Sequence, residues 1–152
     1  MSQKHQMITE RVFEIFKELS AVPRGSGNMT AIADFCEEFA KKNSLECIRD
    51  SADNIIIFKG ASKGYENAEP VILQGHLDMV CQQTAESTHD FAVNGPKIIF
   101  DGDFIKANGT TLGADNGIAV AMVMAILESD ELKHPPIEAV FTTDEEMGLL
   151  GA

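Results

Sequence analysis

Several absences narrow the reading before any motif is considered. The 152-residue chain has only three cysteines, Cys36, Cys47 and Cys81, an odd number with no Cys-x-x-Cys pair. That argues against a disulfide framework and against a thiolate zinc site, and predicts reduced thiols. Basic residues are scarce: 12 Lys and Arg stand against 24 Asp and Glu, a formal net charge of -12. With no basic stripe to offset it, that charge disfavours nucleic acid and anionic membrane as partners. No apolar run approaches the roughly 18 residues that a membrane span needs. The polar N-terminus MSQKHQMITE lacks the apolar core of a secretory signal, so a soluble, cytoplasmic protein is expected. Neither a Gly-x-Gly-x-x-Gly fingerprint nor a P-loop occurs, which weakens any nucleotide-binding reading.

What is present is the composition of an ordinary globular chain, 44% apolar and 24% charged, at a length that suits one domain. Val12, Phe13, Ile15, Phe16 and Leu19 recur at helical spacing, predicting an amphipathic helix from about Glu10 with Thr9 as its cap. A second helix is expected from Asn28 or Thr30 to about Lys42, with Ile32, Phe35, Phe39 and Ala40 inward. Residues 45–49 and 54–58 flank the turn-prone 50–53 and read as a hairpin. Val71, Ile72 and Leu73 form an unbroken apolar run typical of a buried strand. A second hairpin is predicted over 97–107, an Ala- and Met-rich helix over about 116–128, and a strand over 137–143. This order predicts an α/β domain with a mixed, largely buried sheet flanked by helices.

Three clusters fall where predicted strands end or a helix begins, the places where open α/β sheets hold ligands. In His76-Leu77-Asp78 the two polar residues share one side of an extended backbone, so Asp78 can fix the His76 tautomer while the other ring nitrogen binds a metal. Alone, such a pair is more often structural. Asp115 lies between Gly113 and Gly117 at the start of the Ala-rich helix. It could serve as a plain helix cap, but the small residues around it leave room for an ion. Asp144, Glu145 and Glu146 follow an apolar strand and precede Met147. Three such acids would repel one another unless cations or protons intervened, and adjacent residues project differently, so Glu146 could bind metal while Glu145 faces a water or substrate.

The segments GHLDMV (75–80), TLGADNG (111–117) and TTDEEMGLLGA (142–152) resemble the signature segments of the co-catalytic zinc exopeptidases, a family that includes carnosinases, aminoacylases and peptidase T. Among these the chain is most similar to the cytosolic aminoacyl-histidine dipeptidases, and VPRGSGN (22–28), THDF (88–91) and KANGTTLGADNG (106–117) extend the likeness over most of its length. The resemblance implies that His76 ligates one zinc, Asp115 bridges two, and Glu146 ligates the other, with cobalt or manganese as chemically acceptable substitutes. It implies that Asp78 orients His76, that Glu145 is the general base in hydrolysis of a dipeptide, and that the Asp115–Asn116 peptide is cis. The family's site also needs a downstream acid and a distant histidine, which are not in this sequence. The expectation is therefore that residues 1–152 are the N-terminal part of a catalytic domain and inactive alone. The rest of that domain and a second, lid or dimerisation domain would lie outside, and a homodimer is allowed for the full-length parent. The competing reading is a non-catalytic α/β domain that binds divalent cations.

The other candidates are weaker. His5 lies in a polar terminus, His89 in a loop without paired ligand spacing, and His134 in a turn before two prolines. Met122, Met124 and Ile126 read as core packing, and Cys81, with no basic neighbour in sequence, reads as a structural thiol.

Overall fold

Helical periodicity at the start of the chain produces two helices whose apolar stripes become one side of the core. The structure is a computed structural model that describes residues 3–152, with side chains from Ile8 onward. Helix α1 spans Gln3–Ser20, so it starts earlier than the apolar period suggested, and Thr9 lies within it rather than at its start. Ile15, Phe16 and Leu19 are its buried apolar residues among the described side chains, one helical stripe. Helix α2 spans Thr30–Lys42 and begins at Met29 without a side-chain cap; the Thr30 hydroxyl instead donates to Asp53 at 3.2 Å. Its buried stripe is Ile32, Ala33, Cys36 and Ala40, rotated from expectation so that Phe35 and Phe39 lie at the margin of the core.

The strands form a four-stranded mixed sheet in the order β1-β2-β6-β3. Strands β1 (Glu46–Arg49) and β2 (Ile55–Lys59) make the expected antiparallel hairpin. Strand β6 (Ile137–Thr142) pairs antiparallel with β2 and parallel with β3 (Val71–His76). Ile55 and Ile57 of β2 and Ile137, Ala139 and Phe141 of β6 are buried, every second residue, as a strand period of two requires when one face is core. Within these 152 residues strand β3 is less buried than its apolar run suggested. It is the sheet's edge, and Val71 and Ile72 are exposed, Ile72 at 64%, while only Gly75 and His76 are buried. Helix α3 (Ala114–Glu128) covers only that end of the strand. A Cβ on Gly75 would lie 3.3 Å from the Val120 side chain, so glycine lets the helix approach.

Strands β4 (Ile98–Asp101) and β5 (Phe104–Ala107) form a separate hairpin that leaves Phe100 and Phe104 exposed. Helix α3 spans Ala114–Glu128, but Asp115 and Asn116 have non-helical backbone angles and the peptide between them is cis, so the regular helix begins at Gly117. Met124 is buried in the core as expected, Ile126 is partly buried, and Met122 is 52% exposed. Two residues apart on a helix is about 200°, so Met122 and Met124 cannot share a face. The Lys59 ammonium donates to the carbonyls of Ile126, Leu127 and Ser129, closing the C-terminus of α3 against β2. Among the described residues, no helix is long and apolar enough to cross a membrane.

Candidate metal centre

Because β3 and β6 run parallel, their C-terminal ends lie together, with His76 opposite Thr142 in register. The Leu77 amide continues the pairing to the Thr142 carbonyl at 2.7 Å. Beyond Thr142 the chain turns through Asp144, at φ 51, into a single 3-10 turn, Glu145–Met147. The start of α3 brings Asp115 to the same edge. Donor atoms of His76, Asp115 and Glu146 all lie within 4.8 Å of one another. Three residues separated by up to 70 positions in sequence thus meet, as the motifs predicted.

The His76 ring is buried and held from one side. Its Nδ1 lies 3.0 Å from the main-chain carbonyl of Asp78 and 3.4 Å from that residue's Oδ1. The expected link between Asp78 and His76 therefore runs first through the backbone. A carbonyl can only accept, so Nδ1 is the donor in that contact and Nε2 is the ring nitrogen turned toward the carboxylates. Nε2 faces Asp115 Oδ1 at 3.2 Å and Glu145 Oε2 at 3.8 Å. A ring nitrogen that close to carboxylates is favourable only with a positive charge between them, carried by its own proton or by a cation. Imidazole nitrogen with carboxylate oxygens is a donor set that suits zinc. The residues present fit a divalent cation.

Asp78 is fully buried, and its carboxylate accepts from the Glu145 amide (3.0 Å), the Glu146 amide (3.2 Å) and the Ser26 hydroxyl (2.7 Å). It therefore fixes the 3-10 turn that presents Glu145 and Glu146. The Asp115 side chain is 85% exposed, in contrast, and touches only the imidazole among the hydrogen bonds found. The N-cap of α3 is Gly113, and among the described residues the Asp115 side chain is hydrogen-bonded to the imidazole rather than to an amide of its own helix.

The VPRGSGN segment carries no role legible from its residues alone. In the structure Arg24 is fully buried, and its guanidinium donates to the carbonyls of Leu77 (2.9 Å) and Gly113. Burial pushes Arg24 down to about 10, an effect partly offset by Asp78, so it remains charged at neutral pH. The signal available in sequence was a lone arginine between Pro23 and the Gly-Ser-Gly run, with no acid beside it to pair.

The remaining candidates lie elsewhere. His89 Nε2 contacts the Asn94 carbonyl at 3.1 Å, and His134 is buried with Nδ1 at 2.8 Å from the Pro135 carbonyl. His5 lies outside the described side chains. The three cysteines are unbonded. Cys81 does have a cation nearby, Arg24, which lowers its pKa, but burial outweighs this and the thiol is raised, so it stays a poor nucleophile.

No protein-family model matches the chain. Relatives do. Over all 152 residues the chain is 39% identical to the cytosol non-specific dipeptidase of Escherichia coli K12, of which it spans 31%. The crystal structure of aminoacylhistidine dipeptidase from Vibrio alginolyticus superposes with a TM-score of 0.90 at 38% identity, over 99% of this chain and 32% of that one. A tripeptidase from Staphylococcus aureus follows at TM-score 0.74 and 25% identity, over 91% of this chain and 37% of the other. The chain belongs to the M20 peptidase family. It spans about a third of the length of these relatives.

Proposed function

We propose that this chain is the N-terminal part of the catalytic domain of a cytoplasmic, two-zinc dipeptidase acting on aminoacyl-histidine or a broader set of dipeptides. The observation that carries the reading is the meeting of His76, Asp115 and Glu146 at the end of the parallel strands, with the Glu145 carboxylate 3.8 Å from the same imidazole. In this reading His76 and Glu146 would each hold one cation, with the largely exposed Asp115 carboxylate available to both. Divalent cations bound there would polarise a scissile carbonyl and acidify an attacking water. Glu145 takes the proton from that water and delivers it to the leaving amine. Asp78 keeps Glu145 and Glu146 in register through their amides.

Three donors shared over two cations leave each with two protein ligands, one fewer than is usual at a catalytic zinc. Further ligands, substrate contacts and any dimer contacts then belong to a longer protein, and residues 1–152 alone are expected to show no turnover. The test is a hybrid in which this chain replaces the matching 31% of the Escherichia coli relative. The expected result is zinc-dependent dipeptide hydrolysis that falls by roughly 10²–10⁴ in kcat on Glu145→Gln, with metal content retained. Full activity in the Glu145→Gln hybrid would reject the assignment. A hybrid that binds zinc yet never hydrolyses a dipeptide would favour the non-catalytic cation-binding domain.

A further inference from the structure

The turn between α1 and α2, residues 24–28, reaches every segment that carries a metal donor. Arg24 donates to the Leu77 carbonyl, within the His76–Asp78 segment, and to the Gly113 carbonyl, two residues before Asp115. The Met79 amide returns a hydrogen bond to the Arg24 carbonyl at 3.0 Å, locking the turn against the end of β3. The Ser26 hydroxyl holds Asp78, and the Gly27 amide donates to Asp144 Oδ1 at 2.6 Å. The space for the guanidinium is built in: a Cβ at Gly113 or Gly117 would lie 2.5 or 2.7 Å from Arg24 Nη2.

The two terminal nitrogens of this buried cation donate to main-chain carbonyls, its Nε has no partner among the described residues, and Asp78 offsets its charge only through space. What the cation does geometrically is tie the backbone beside His76 to the backbone before Asp115. The guanidinium is a rigid planar fork, so the two carbonyls it joins have a set separation that a flexible ammonium would not impose. Groups that orient metal ligands from behind typically change affinity by about 10–100-fold when altered.

We propose that this turn is a positioning element for the metal donors, Arg24 setting the separation of His76 from Asp115 and Ser26 setting the Asp78 carboxylate that presents Glu145 and Glu146. The proposal rests on the metal-site reading above and names residues that act only through others.

The test uses the full chain and three readouts: cooperative melting, zinc affinity by calorimetry at a temperature where each variant is folded, and the His76 ring tautomer by nitrogen-15 NMR without metal. Arg24→Lys keeps the charge but not the fork. It is expected to weaken zinc binding by about tenfold and to turn a single Nδ1-protonated His76 into a tautomer mixture. Ser26→Ala removes one hydroxyl from a half-buried position and is expected to fold and to weaken zinc binding severalfold. A purely structural turn would lower the melting temperature and leave tautomer and affinity unchanged. Folded Arg24→Lys with the parent tautomer and an affinity within about twofold would overturn the proposal. If Arg24→Lys does not fold, parent-like zinc affinity in Ser26→Ala overturns it instead. Should the parent chain bind no zinc, the tautomer alone decides, and a parent-like tautomer in Arg24→Lys overturns the proposal, while the metal-site reading is tested separately by zinc content of the hybrid.

Discussion

The His76 imidazole has two sides, and the chain treats them in opposite ways. Toward Asp78 everything is closed: the carboxylate is fully buried and accepts from two amides and a hydroxyl, and the Asp78 carbonyl takes the ring proton. Toward Asp115 everything is open: the carboxylate is mostly exposed and faces Nε2 of the ring at 3.2 Å. The closed side is scaffold, since buried polar groups survive only when paired. On the open side the donors are held near one another with their charge unspent, which is what a cation needs. The difference separates two acids that look alike in sequence.

That contrast predicts a graded series of stabilities. Asp78→Ala should be the most costly. It strands two amides and a hydroxyl and removes the carboxylate that offsets the buried Arg24 charge, for a loss of about 3 kcal/mol. For a domain of this size that is roughly a 10 °C fall in melting temperature. Gly117→Ala should come next. Alanine gains about 1 kcal/mol in helix propensity, but its Cβ would lie 2.7 Å from Arg24 and 3.1 Å from the Phe16 ring. Overpacking of about 1–3 kcal/mol wins, and the net loss should be visible in a denaturant midpoint. A rise in that midpoint would mean that Arg24 does not occupy the space. Asp115→Ala should cost the least, within about 0.5 kcal/mol by the same measure, because the side chain supports nothing. Equal losses for Asp78→Ala and Asp115→Ala would erase the distinction between the two sides.

Much of this was legible in local pattern. The two opening helices, both hairpins and the strand after Pro136 follow from periods of 3.6 and 2 and from turn residues, which act between near neighbours. The motifs also named His76, Asp115 and Glu146, which the fold brings together, and the cis peptide after Asp115 was implied by resemblance and is present. What was not legible depended on long-range pairing. An apolar triplet cannot say whether its strand sits inside a sheet or at its edge, and β3 lies at the edge because β6, more than 60 residues later, pairs with only one side of it. Arg24 was opaque for the same reason: its partners, Leu77 and Gly113, offer main-chain carbonyls, which leave no mark in sequence. Sequence paired Asp78 with His76 but could not say which of its groups lies nearer, since in an extended segment the carbonyl and carboxylate of one residue both lie within reach of the ring.

The most direct test of the account is a zinc titration of the 152-residue chain by calorimetry, repeated for His76→Ala and Glu146→Gln. The expected outcome is weak binding, with a Kd of about 10⁻⁶ M or weaker, that disappears in both variants while their folded signal persists. Two tightly held zinc ions in the parent chain, or binding that survives His76→Ala unchanged, would contradict it.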